Sequence, residues 1–166
     1  MNADAESEFR EFVALRSPAL LRSAYLLVGG DWALAEDLLQ AALIKTYLAW
    51  GRINDPGARE AYVRTTLATT ATSWWRRRWH GERATAELPE TIGRDRTDTI
   101  DDRDALWPLV RDLPARQRAV LVLRFYEDFS EAETARTLGL SVGTVKSHTA
   151  RALKSLRAVL KTTGAS

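Results

Sequence analysis

The chain has 166 residues, 45% of them hydrophobic and 28% charged, with a formal net charge of +2. That is enough apolar material for one core or two small ones, which excludes a disordered tail. There is no cysteine, so disulfides and thiolate metal sites are excluded, and no apolar run approaches the roughly 20 residues that span a bilayer. The N-terminal MNADAESEF is acidic and lacks the basic-then-apolar order of a signal peptide, so a cytoplasmic location is expected. The small net charge hides a strong segregation: +1 over residues 1–83, −4 over 84–104 and +5 over 105–166.

No alternating Val/Ile/Thr-rich run is present, which predicts an all-α chain. Phe9, Phe12, Val13, Leu20, Leu21, Ala24, Tyr25 and Val28 recur at helical spacing, and Ser17-Pro18 predicts a helix start inside that stretch. Gly29-Gly30 supplies a stop, and Asp31 caps a second helix. Leu34, Leu38, Ala41, Ala42, Lys45 and Leu48 trace one side of that helix, widened by Leu39, Leu43, Tyr47 and Trp50. Asn54-Asp55-Pro56-Gly57 reads as a loop, followed by a third helix from about Ala58 to Trp79. Periodicity then disappears over 81–104, which reads as a flexible acidic linker. From Ala105 it returns, with one helix ending near Asp112 and another running from Pro114 to Tyr126. The expected plan is two small helical domains, 8–80 and 105–161, joined by that linker.

The stretch from Ser130 to Arg157 predicts a helix-turn-helix. Ser130 and Glu133 make a capping-box pair, Ala135 is small where two helices cross, and Gly139 supplies the turn. Ser141 caps the second helix, whose inner side carries Val145, Thr149, Ala152 and Leu156. Thr144, Ser147, Arg151 and Lys154 lie opposite, with Lys146 and Arg157 on the flank. Such a helix enters the major groove, where Arg and Lys donate to guanine edges or phosphates and Ser and Thr to either. His148 falls beside the core face, either packed or in contact with DNA.

Two constellations lie in the N-terminal block. Glu36, Asp37 and Gln40 share one helical sector and suit a partner that presents arginines; an acidic helix start favoured by the dipole has the same look. Trp74, Trp75 and Trp79 interleave with Arg76, Arg77 and Arg78. Tryptophan faces can stack on unpaired bases, at about 1–3 kcal/mol per base, while arginines hold the backbone. Trp74 and Trp75 point about 100° apart on a helix, so at least one tryptophan of the cluster is expected in the core.

LPARQRAVLVLRFYEDFSEAETARTLGLSVGTVKSHTARALKSLR resembles region 4 of a bacterial sigma factor, and DWALAEDLLQAALIKTYLAW resembles a region 2 helix of the same family. YVRTTLATTATSWWRRRW is similar to the promoter-melting part of region 2. Over roughly residues 8–160 the plan resembles the extracytoplasmic-function sigma factors, in particular the actinobacterial SigE-like kind. The resemblance implies core RNA polymerase and promoter DNA as partners, an anti-sigma factor as a further candidate, a monomer when free, and no cofactor, metal or catalytic residue. It implies that Ser141, Thr144, Lys146, Ser147, His148, Arg151 and Lys154 read the upstream (−35) element. Asn54, Thr69, Thr70, Trp74, Trp75, Arg76, Arg77 and Arg78 would read and open the downstream (−10) element, with the Asn54–Ala58 loop capturing a flipped base. Glu36, Asp37 and Gln40 would dock on polymerase, although Ala41 stands where many relatives carry Glu.

An enzyme is not expected: only His80 and His148 are present, with no HExxH, Walker loop or GxSxG elbow. The alternative is a stand-alone helix-turn-helix regulator, which would bind its operator unaided as a dimer and would have no use for a docking helix.

Overall fold

The structure is a computed structural model that describes residues 2–81 and 107–164, with side chains for 2–77 and 107–162. Residues 82–104 of the expected linker and the side chains of Arg78 and Trp79 lie outside the described residues. Among the described residues every regular element is helical, in two compact units.

In the first unit, α1 (Ala3–Leu27) starts where the Asn2 side chain accepts the Ala5 N–H at 2.8 Å. It runs unbroken through Pro18, contrary to the start expected at Ser17-Pro18. Proline there removes only its own N–H, which leaves the Ala14 carbonyl without a helical donor. Ala14 is exposed, so water can satisfy it, and burial of Leu20, Ala24, Tyr25 and Leu27 further along holds the helix together. The stop is as expected: Gly29 and Gly30 have φ of 81° and 94°, and the Gly30 N–H donates to Tyr25 O.

Asp31 caps α2 (Trp32–Ala49) by accepting the Leu34 N–H at 3.1 Å. This helix packs on both α1 and α3 (Pro56–Gly81), burying Ala35, Leu38, Leu39, Ala42, Thr46 and Ala49. Leu48, expected on the inward side, is 73% exposed; with two neighbours to serve, α2 buries a sector that turns away from it. A single 3-10 turn, Trp50–Arg52, follows. Trp50 is fully buried, with the Phe9 and Phe12 rings at 5.1 and 5.3 Å and the Arg59 guanidinium 4.2 Å above it. The third helix starts at Pro56 rather than Ala58, because Asp55 takes the cap position and its carboxylate accepts the Gly57 N–H at 3.0 Å. Its buried Thr66 and Thr72 return their hydroxyl protons to Tyr62 O and Ala68 O, which makes their burial tolerable.

In the second unit, α4 (Trp107–Arg111) and α5 (Ala115–Leu121) lead into a five-residue π-turn, Val122–Tyr126. Next come α6 (Glu131–Leu138) and α7 (Val142–Gly164). Both α5 and α6 pack on α7, and Val120, Val122, Leu123, Val145 and Ala152 form the centre of the core.

Glu60 ties α1 to α3 by accepting from Arg16 and from Arg64, the latter at 2.9 Å. Partial burial alone would raise its pKa, but the hydrogen bonds from Arg16 and Arg64 outweigh it, and the carboxyl titrates below its ordinary value. A depressed carboxylate contributes stability above its unfolded pKa that is lost as pH falls through the folded one. Glu60→Gln is therefore expected to cost about 1 kcal/mol at pH 7, a fall of roughly 4–8 °C in Tm. The difference from wild type should shrink below pH 4, as calorimetry across pH would show.

Candidate nucleic-acid interface

The helix-turn-helix is built by local chemistry. The Glu133 N–H donates to Ser130 Oγ at 3.0 Å, and the Ser130 N–H donates to Glu133 Oε1 at 2.8 Å, closing the capping box. Gly139 ends α6 with φ 72°, and the Leu140 N–H returns to Ala135 O. Ser141 Oγ then accepts the Thr144 N–H at 3.0 Å and opens α7. Val145, Ala152 and Leu156 are buried, whereas Lys146, Ser147, Arg151, Lys154 and Arg157 are exposed. The result is a well-anchored helix with a polar, basic outer face, the geometry a groove-reading helix needs. Thr144 and His148 are half-buried at its edges. Lys146 Nζ lies 3.9 Å from the Glu131 carboxylate at the start of α6.

His148 is the unusual member. Its Nδ1 is enclosed without a hydrogen-bond partner. Burial first, then the positive charges of Arg151 and of Arg116 on α5, hold its pKa below the usual histidine value. Arg116 did not figure in the sequence reading. It precedes the helix-turn-helix by a full helix, and only the packing of α5 on α7 brings it near.

In the first unit, Glu36, Asp37 and Gln40 are all exposed on α2 and share one sector, as their spacing requires. Asn54 is exposed and lines an open groove of about 690 Å³ with Arg52, Ile53, Asp55, Tyr62 and Thr65. Thr69 is exposed on α3. Thr70 is not available to DNA: it is 3% exposed, and its hydroxyl accepts from Lys45 Nζ at 3.0 Å. It falls on the buried stripe Val63–Leu67–Thr70–Ala71, one position round the helix from Thr69. Trp74 and Trp75 are both half-buried, so neither is the core tryptophan expected, and Arg76 and Arg77 beside them are exposed. Among the described residues no acidic or histidine cluster could hold a metal, and no single helix is long and apolar enough to cross a membrane.

The family described as Sigma-70 region 2 matches residues 12–81, and that described as Sigma-70, region 4 matches residues 103–156. The chain is 46% identical to an RNA polymerase sigma-E factor of Streptomyces avermitilis, over 93% of this chain and 86% of that protein. It is 29% identical to the ECF RNA polymerase sigma factor SigL of Mycobacterium tuberculosis, over 98% and 94% of the two chains. Among solved structures, the fold is similar to the sigma factor RpoE in complex with the anti-sigma factor NepR from Bartonella quintana. The TM-score is 0.66 at 27% identity, covering 93% of this chain and 97% of that one.

The His148 environment sets a pH dependence. Because the folded state holds its proton less tightly than the unfolded state, stability falls as pH drops through the unfolded value near 6.5. His148→Gln keeps a polar side chain without the titration. Thermal unfolding followed from pH 7 to pH 5 should decline less steeply in this variant than in wild type.

Proposed function

The chain belongs to the sigma-70 family, as an extracytoplasmic-function sigma factor of the sigma-E-like kind, and we propose that its two units divide promoter recognition between them. As an alternative sigma factor it serves transcription initiation. In the proposed division, the unit within 8–80 binds core RNA polymerase through Glu36, Asp37 and Gln40 and opens the −10 element. The unit within 105–161 reads the −35 element. The observation that carries this reading is the coexistence, in one chain, of an exposed acidic and amide face on α2 with an exposed basic face on α7. A stand-alone regulator has use only for the second.

Each half has a physical rationale. Asp37 and Gln40 leave a carboxylate and an amide free for charge-assisted hydrogen bonds from a partner's arginines. The groove beside Asn54 has room for an extruded base, with the Tyr62 ring and the Asn54 amide among its lining groups. Trp74 and Trp75 can stack on bases while Arg76 and Arg77 hold phosphates, which offsets the stacking lost when the duplex opens. On α7, Lys146, Ser147 and Arg151 face the groove, and Ser141 and Thr144 sit where backbone N–H groups meet phosphate. The solved relative is bound to an anti-sigma factor, which supports a similar partner here. A cytoplasmic location follows from work on polymerase, and no catalysis is required of the chain itself.

Run-off transcription with purified core polymerase tests the whole reading. Promoter-specific transcripts should appear only when the chain is added; if none appears across a broad promoter library, the reading fails. Asp37→Ala combined with Gln40→Ala should weaken binding to core about tenfold, roughly 1.4 kcal/mol, with DNA binding by α7 unchanged. Arg151→Ala should instead lower discrimination between promoters by about 1–3 kcal/mol.

A further inference from the structure

We infer that Glu131, in the first turn of α6, sets the selectivity of the DNA-reading helix: its carboxylate engages Lys146 of α7 and withholds that ammonium from indiscriminate contact with DNA phosphates. The inference rests on the reading of α7 as the DNA-facing helix and adds to it a residue of opposite charge from the neighbouring helix.

The charge pattern of α7 points to this residue. The helix carries Lys146, Arg151, Lys154, Arg157 and Lys161, and no aspartate or glutamate. Among the described residues only Lys146 of these cations forms an ion pair. Its Nζ lies 3.9 Å from Glu131 Oε1, a carboxylate that α6 brings across the helix pair. Glu131 has no part in the cap of α6, because Glu133 closes the box with Ser130 and also supplies negative charge to the helix start. The Lys146 and Glu131 side chains are 63% and 39% exposed, so their pairing adds little to the stability of the fold. What the carboxylate changes is the charge that Lys146 presents to a ligand.

The position of Lys146 makes the pairing matter. It is the fifth residue of α7, and the N-terminal part of a recognition helix is the part that reaches base edges. A free ammonium there would bind any phosphate within reach, with release of a counterion whatever the sequence. With Glu131 beside it that gain shrinks, because the carboxylate already stands where a counterion would. Hydrogen bonding is spared: an ammonium has three donors, so one turned to Glu131 leaves two for a guanine edge. The pair thus weakens the contact that carries no sequence information and keeps the one that does.

The test uses the full chain and two DNA duplexes of equal length. One has mixed sequence; the other is taken from a randomised pool by repeated selection with the wild-type chain. Fluorescence anisotropy gives the affinity for each over a series of NaCl concentrations. Glu131→Gln is expected to tighten binding to the mixed duplex about fivefold, the effect of one exposed ion pair. Its slope of log K against log salt should steepen by about 0.9, the share of one phosphate. Binding to the selected duplex should change less, so the ratio of the two affinities falls. Glu131→Lys should go further in the same direction. Thermal melting of Glu131→Gln should match wild type, since the Ser130–Glu133 box is intact. In a Lys146→Ala background Glu131→Gln should change neither affinity nor slope, because the carboxylate acts through the ammonium. If Glu131→Gln matches wild type while Lys146→Ala lowers the slope, α7 reads DNA but Glu131 does not govern it, and the inference fails. Equal tightening with and without Lys146 would mean that the carboxylate repels DNA by itself, which overturns the pairing. Equal tightening on both duplexes would overturn the role in selectivity. If Lys146→Ala and Arg151→Ala both leave binding unchanged, the underlying reading of α7 fails as well.

Discussion

The burial of Trp50 is the constraint on which the first unit depends. The indole ends α2, fills the space against Phe9 and Phe12 of α1, and is covered by Arg59 of α3. Burying so large a side chain is worth several kcal/mol, a sizeable part of what a helical unit of this size can muster. That one contact fixes where α2 stops, and so where the chain turns through Ile53, Asn54 and Asp55 into α3. The groove beside Asn54 lies directly under this turn, with Ala49 at the end of α2 and Ala58, Ala61 and Tyr62 of α3 in its wall. Its shape is therefore a consequence of core packing. The exposed residues of α2 and α3 are free to vary in chemistry only because the indole and the Glu60 ion pairs hold the three helices in register.

In the second unit local hydrogen bonds set the turn that presents α7. The Ser130–Glu133 box, the left-handed Gly139 and the Ser141 cap define both ends of the tight turn between α6 and α7. Each acts within five residues of itself, so the motif is written almost completely in consecutive sequence. Asp128 is the exception: its φ of 62° lies in the region that glycine usually occupies, just after the π-turn. Asparagine and aspartate visit this conformation at lower cost than other side chains.

This difference explains what could be read from the residues and what could not. The all-helical class, the Gly29-Gly30 stop, the Asp31 cap and the whole helix-turn-helix were legible, because each depends on a cap or a turn whose chemistry is local. Pro18 misled because a helix interior tolerates proline when the orphaned carbonyl faces water, and only the tertiary fold decides that. Leu48 misled because hydrophobic spacing records which residues could be buried, whereas the positions of α1 and α3 decide which are. Thr69 and Thr70 differ by a single position, yet one faces solvent and the other is buried, with its hydroxyl accepting from Lys45. Arg116 went unremarked because nothing in the sequence links a helix start at 115 to a histidine on α7.

The electrostatics of α7 argue for a helix of restrained affinity. Lys146 has a carboxylate, Glu131, at 3.9 Å, so part of its charge is already answered within the protein. Burial, with Arg151 and Arg116, holds the His148 pKa below its ordinary value, and Ser147 adds an exposed neutral hydroxyl. Fixed positive charge on the exposed side of the helix-turn-helix part of α7 is thus carried chiefly by Arg151, Lys154 and Arg157. Non-specific affinity grows steeply with the number of phosphates neutralised, and a reader with many free cations would be held at random sites along a genome. A protein that acts together with a large partner gains nothing from that. When two weak contacts are joined in one assembly, the second becomes effectively intramolecular, so neither half needs to bind tightly alone. In the proposed division of promoter recognition, the modest charge of α7 and the exposed acidic face of α2 would be two sides of one arrangement, in which affinity comes from joining the contacts and selectivity from keeping each of them weak.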